Sequence, residues 1–232
     1  MQHPRQQPIF DNRFDAGRQL ASKLGEYRKQ PVIVLAIPNG GVPVALQVAL
    51  ALKADLDLVI SRKIPIPLRP EGGFGAIADD GTTILNPEVL KKIGLSEQQI
   101  NYQVGKVRTE IQQRSLLYRG SRRLSVVADK IAIIVDDGLA SGFTMLAALE
   151  SVRRRQPKQI VVAVPAASAT AVKQVEKTAD RVVTVVTAFV PKFYVSDFYR
   201  YWHVLSDEEG LKCLREWQMR RFKPTIKPSP ER

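Results

Sequence analysis

The sequence predicts an α/β fold, a doubly wound, largely parallel sheet flanked by helices, and three observations predict it. Apolar runs of strand length recur at Val32–Ile37, Lys130–Val135, Gln159–Val164 and Arg181–Val186, and runs without alternation belong to strands buried on both faces. Between them lie segments with helical spacing, and strands alternating with helices build a parallel sheet. The length, 232 residues, suits one α/β domain, and 44% hydrophobic with 25% charged residues supplies a full core.

Taken in order, Val32–Ile37 ends at Pro38-Asn39-Gly40-Gly41, and Val42 to about Lys53 forms the following helix, with Pro43 tolerated in its first turn. Asp55–Ser61 reads as the second strand. Arg62–Asn86 breaks into prolines and glycines, which predicts a flexible stretch and then a hairpin turning at Asp80-Gly81. Glu97–Tyr118 carries a helical stripe of Ile100, Val104, Val107, Ile111 and Tyr118. Lys130–Val135 leads through Asp136-Asp137 and a small-residue loop into a helix reaching about Arg155. Gln159–Val164, Ala169–Thr178 and Arg181–Val186 read as strand, helix and strand. After Val190 aromatics concentrate in PKFYVSDFYRYWHVLSDEE, a small hood, and a short helix spans about Asp207–Trp217. Residues 1–218 read as a single domain and 219–232 as a basic, proline-rich, flexible tail.

Composition bounds the function. Lys and Arg number 35 against 23 Asp and Glu, a net charge of +12, which fits nucleic acid, an anionic membrane surface or a substrate with several phosphates. A lone Cys213 excludes an internal disulfide, and His3 and His203 give no zinc-ligand spacing. Pro31–Pro38 and Val42–Leu52 are too short for a bilayer, and Met1–Phe10 does not read as a signal sequence, so cytoplasmic residence without membrane contact is the expectation.

The segment Ile131–Thr144, IAIIVDDGLASGFT, carries the chemistry. Ligands of open parallel sheets bind beyond the carboxyl ends of strands, and here a buried strand delivers two carboxylates and then small residues at a helix N-terminus. Gly138 and Gly142 allow close approach to an anion, amides from Leu139 to Thr144 can donate, and the Ser141 and Thr144 hydroxyls can join them. Asp136 and Asp137 would repel a phosphate unless they face a sugar diol, whose hydroxyls donate to carboxylates, or hold Mg²⁺ through water. The loop is neither a Walker A nor a dinucleotide fingerprint. Taken alone, Asp-Asp before a Ser-Gly helix start also occurs in doubly wound proteins with no such site.

This string resembles the signature of the type I phosphoribosyltransferases. The resemblance implies that Asp136 and Asp137 grip the ribose hydroxyls of phosphoribosyl pyrophosphate (PRPP), and that Gly138, Leu139, Ala140, Ser141, Gly142, Phe143 and Thr144 bind its 5-phosphate. Phe143 departs from the smaller residue usual there; it could narrow the pocket or pack outward. Asn39, Gly40 and Gly41 sit where the family keeps a pyrophosphate loop, usually a basic residue and two glycines. Asn39 replaces that charge, and an ordinary strand-to-helix turn is the competing reading. Arg62 and Lys63, after Ser61, match an Arg-Lys pair that contacts pyrophosphate in several relatives. FDNRFDAGRQLASKL, VLAIPNGGVPVA, FGAIADDGTTILN, YRG and FYVSDFYRYWHVLSDEE resemble blocks of a bacterial and archaeal group of unassigned acceptor, over about residues 9–215. In relatives the region after the last strand covers the acceptor, so Phe193 and Tyr194 either stack on a planar base or cap the core.

The resemblance implies Mg²⁺-dependent transfer of a 5-phosphoribosyl group from PRPP to a nitrogenous, base-like acceptor, by a homo-oligomer, a dimer. The competing class is a PRPP- or nucleotide-sensing regulator that binds RNA through Lys106, Arg108, Arg114, Arg119, Arg122 and Arg123. No RNA-binding motif accompanies those residues, and nucleic acid is the less favoured partner.

Overall fold

A computed structural model describes residues 8–120, 122 and 124–221; His3, Arg123 and the part of the expected tail beyond Arg221 lie outside them. The chain runs through α1 (Arg13–Lys23), β1 (Val32–Ala36), α2 (Gly41–Leu52), β2 (Asp55–Leu58), β3 (Ser61–Ile66), β4 (Arg69–Ala78), β5 (Thr83–Leu85), α3 (Pro87–Ile93) and α4 (Glu97–Arg119). It continues through β6 (Ile131–Val135), α5 (Phe143–Arg153), β7 (Gln159–Ser168), α6 (Ala169–Val175), β8 (Arg181–Ala188) and α7 (Asp207–Arg221).

Five parallel strands form the central sheet in the order β2-β1-β6-β7-β8. β1 and β6 lie inside it and are buried along their whole length, the physical reason their sequences do not alternate. The strand period still sorts their side chains. Val32, Val34, Ile131 and Ile133 join the core beneath α1, α2 and α7, whereas Ile33, Leu35, Ala132 and Ile134 face α5 and α6.

The segment expected to be a flexible stretch and a hairpin is a separate antiparallel sheet, β3-β4-β5. Its prolines are accommodated by register shifts around Pro65, where a strand can dispense with an amide donor. Ile64, Phe74 and Ile77 pack with Val107 and Ile111 of α4, and Ala76 and Ala78 pack with Ala147 of α5. Both faces are covered, so the segment holds its shape despite its composition.

Other boundaries also moved. β7 runs past Pro165 to Ser168, because the β6 ladder ends at Val135 opposite Ala163 and the next amide donated on that side is that of Ser168, to Leu139 O, so Pro165 falls in the gap between them. Neither α1 nor α3 is among the elements the sequence predicts, although Asn12 and Asn86 cap them and Pro87 opens α3. α7 extends to Arg221, so the expected domain boundary at 218 falls inside a helix. At the carboxyl edge of the sheet Phe10 bridges Tyr199, and the two rings lie 5.3 Å apart.

Candidate active site at the carboxyl ends of β1 and β6

The loop after β1 and the acids after β6 lie against each other. A methyl group on Gly40 would stand 2.5 Å from Asp137 Cγ, and one on Gly41 would stand 2.9 Å from Asp136 Cα. Two glycines at this crossing let the loop backbone touch the carboxylates. The Pro38–Asn39 peptide is cis. The Gly41 amide is used, donating to Ile37 O at 3.0 Å, so the loop's remaining donors for an anion are the amides of Asn39 and Gly40. The Asn39 side chain faces away from that role: its amide donates to Leu205 O at 2.9 Å, and its Oδ1 accepts from the Tyr118 hydroxyl at 3.1 Å.

Both carboxyls are partly buried. Asp136 Oδ1 accepts the Asp137 amide at 2.8 Å. Asp137 Oδ2 accepts from Arg13 Nε at 2.8 Å, and the Tyr199 hydroxyl donates to the Asp137 carbonyl at 2.6 Å. Burial pushes both carboxyls above the ordinary carboxylate range, Asp136 well above because the Asp137 charge adds to desolvation; Arg13 opposes the shift at Asp137. The two acids titrate as a pair.

One guanidinium against two carboxylates leaves negative charge at the strand end, and hard oxygen donors suit a hard cation. Among the described residues no three His, Cys, Asp or Glu side chains gather as a metal site. A magnesium ion at these acids would therefore take its other oxygens from a ligand and water.

The small-residue loop is shaped by β7 on one side and α5 on the other. Leu139 is buried and forms a parallel bridge with β7, its amide donating to Ala166 O at 2.8 Å. Leu139 is thus withdrawn from the donors expected to bind phosphate. Ser168 Oγ holds the Ala140 carbonyl at 2.8 Å. Gly142 takes φ +83° at the start of α5, a conformation that L side chains resist. The first helical bond runs from Leu146 N to Gly142 O, so the amides from Ala140 to Thr144 precede the helical ladder, beside its positive end. Phe143 packs against the cluster of Ala76, Ala78 and Ala147, away from the loop, as the outward alternative has it.

Arg62 and Lys63 are engaged elsewhere: Arg62 pairs with Glu110 at 3.0 Å, and Lys63 Nζ donates to Glu71 O at 2.6 Å. Of the two aromatics, Phe193 packs on Phe198 at a ring separation of 5.0 Å, as a core cap does, while Tyr194 is exposed. Val195, next in sequence, lies on Gly138. The basic residues of α4 do not form a free stripe. Arg114 pairs with Asp207 at 3.1 Å, Arg119 is buried against Asp79 and Leu58 O, and Arg122 donates to Tyr118 O at 2.8 Å. Lys106 and Arg108 remain exposed.

Arg13 was missed in the sequence. It belongs to the resembling block Phe10–Leu24, but nothing in that block marks it as the partner of an acid 124 residues away.

Similar proteins point the same way. The family model described as phosphoribosyl transferase domain matches residues 77–197. Proteins of Mycobacterium tuberculosis strains H37Rv and CDC 1551, both named "Putative phosphoribosyl transferase", are 39% identical to the chain over 206 residues, 89% of it. The chain spans about half the length of these relatives, 46%. The crystal structure of TT1426 from Thermus thermophilus is 32% identical, with a TM-score of 0.71, over 90% of this chain and 98% of that one. Among the described residues no helix is long and apolar enough to cross a membrane.

Proposed function

The chain belongs to the phosphoribosyl transferase domain family, and from that premise we propose that it transfers a 5-phosphoribosyl group from PRPP to a nitrogenous, base-like acceptor with release of pyrophosphate. The observation that carries the reading is the contact of Gly40 and Gly41 with Asp137 and Asp136. It joins two anion-binding backbones through a pair of diol-binding acids, the order of groups along PRPP itself.

In this reading the amides of Ala140–Thr144 and the hydroxyls of Ser141 and Thr144 hold the 5-phosphate. Asp136 and Asp137 accept hydrogen bonds from the ribose hydroxyls, and the amides of Asn39 and Gly40 hold pyrophosphate. Magnesium, when bound, neutralises phosphate charge and draws off the charge that grows on the leaving pyrophosphate. Transfer needs little proton chemistry, because departure of pyrophosphate leaves an oxocarbenium-like ribosyl centre for the acceptor nitrogen. The protein's work is to orient the ribose, stabilise the departing charge and exclude water. Arg62 and Lys63 contribute to that stabilisation only after leaving Glu110 and the Glu71 carbonyl.

The test is calorimetric titration with Mg²⁺-PRPP, followed by pyrophosphate release across a panel of purine, pyrimidine and other nitrogenous acceptors. Binding of Mg²⁺-PRPP and acceptor-dependent release support the reading; no binding at millimolar Mg²⁺-PRPP overturns it.

A further inference from the structure

Arg13 opens α1, far in sequence from the acids, yet its side chain is 7% exposed and its Nε lies 2.8 Å from Asp137 Oδ2. The same guanidinium donates through Nη1 to His203 O at 3.0 Å and lies 3.8 Å from the centre of the Trp202 ring. The Asp137 carboxylate is therefore gripped between Arg13 on one side and the Gly40 backbone on the other, while Tyr199 holds its carbonyl. A guanidinium suits this work because its planar fork can serve a carboxylate and a carbonyl at once, which an ammonium on a flexible stem does less well. On its far side Arg13 borders a cavity of about 320 Å³ shared with Phe14, Pro43, Tyr201 and Leu205.

The two acids are thus unequal. Asp137 is committed to a buried cation, whereas among the described residues the Asp136 carboxylate has no cation partner and accepts the amide that follows it. We propose that Arg13 is a positioning residue for PRPP: it fixes the Asp137 carboxylate in one orientation against the Asn39–Gly41 loop, and acts on the substrate only through that carboxylate. The inference rests on the reading of Asp136 and Asp137 as the diol-binding acids. Arg13 also ties the acid to the Tyr199–Leu205 segment, so the orientation of Asp137 and the seating of that segment belong to one unit.

The experiment measures Mg²⁺-PRPP dissociation constants by calorimetry for wild type, Arg13→Met, Arg13→Lys, Asp137→Asn and the double variant Arg13→Met/Asp137→Asn, with melting curves to establish folding. Arg13→Met should weaken binding tenfold or more, Arg13→Lys should recover part of the loss, and in the Asp137→Asn background Arg13→Met should add less than twofold. Binding by Arg13→Met within twofold of wild type overturns the proposal. So does an equal loss in both backgrounds, which would mean that Arg13 touches the substrate directly. Should Arg13→Met fail to fold, Arg13→Lys carries the test: binding within twofold of wild type overturns the proposal, and a larger loss absent from the Asp137→Asn background supports it. Failure of wild type itself to bind Mg²⁺-PRPP would strike the proposed function instead, so the two failures are distinguishable.

Discussion

Substituting Gly40 by alanine tests the contact on which the site depends. The added methyl would lie 2.5 Å from Asp137 Cγ and 2.9 Å from its Oδ1, where ordinary contact begins near 3.4 Å. Asp137 Oδ2 would lie closer still, so the carboxylate or the loop must retreat by more than the roughly 0.9 Å that Cγ alone demands. An Arg13 Nε to Asp137 Oδ2 distance of 2.8 Å that opens by that much is no longer a hydrogen bond. Stripping one partner from a buried ion pair costs about 3–5 kcal/mol, and a loop that shares the displacement relieves a good part of it. A loss of about 2 kcal/mol in substrate binding is expected, roughly thirtyfold in Kd. Calorimetry with Mg²⁺-PRPP reads it, and Gly25→Ala, whose methyl meets nothing within 4 Å, is the control. Binding by Gly40→Ala within threefold of wild type, with an unchanged melting temperature, would refute the claim that the loop and the acids form one site.

The remaining predictions address the acids and the charges around them. Asp136→Asn with Asp137→Asn should abolish Mg²⁺-PRPP binding in calorimetry while far-UV circular dichroism keeps the native signature; retained binding would remove these acids from the site. Asp136 has its pKa raised on folding, so the folded state holds the extra proton above about pH 4 and stability falls as pH rises through the folded value. Urea unfolding should accordingly find Asp136→Asn more stable than wild type at pH 7, with the difference gone near pH 3; the opposite pH trend contradicts the assigned direction. Arg119→Gln should cost about 3–5 kcal/mol, because it leaves Asp79 buried without its cation, whereas Lys106→Gln and Arg108→Gln should leave the urea midpoint unchanged.

Much of the fold was legible because the information was local. VIVLA and IAIIV are apolar at every position, which only a strand covered on both faces requires, and both became inner strands of the sheet. The run Asp136–Thr144 was legible for the same reason: the acids, the turn glycine and the helix start are contiguous, so their relative placement is fixed by a few backbone angles. What escaped was whatever depends on a distant partner. Leu139 carries an amide like its neighbours, and only the extension of β7 beyond Pro165 reveals that this amide is already bonded. Arg119 reads as one more base on a helix until Asp57 and Asp79 arrive from the β2 and β4 ends.

Charge gives the sharpest case. The chain carries +12 overall, yet the charged side chains bonded at the site are two carboxylates and one guanidinium, a local balance of −1 once both acids are ionised. Asn39 contributes no cation, and Arg62 has its own acid in Glu110. The long-range field of the molecule therefore draws an anion in, while the local field resists a bare one. An anion whose phosphates bring a divalent cation satisfies both fields, since the cation offsets the acids as the backbone amides take the phosphate oxygens. That is the electrostatic reason the proposed ligand of this site is Mg²⁺-PRPP and not free PRPP.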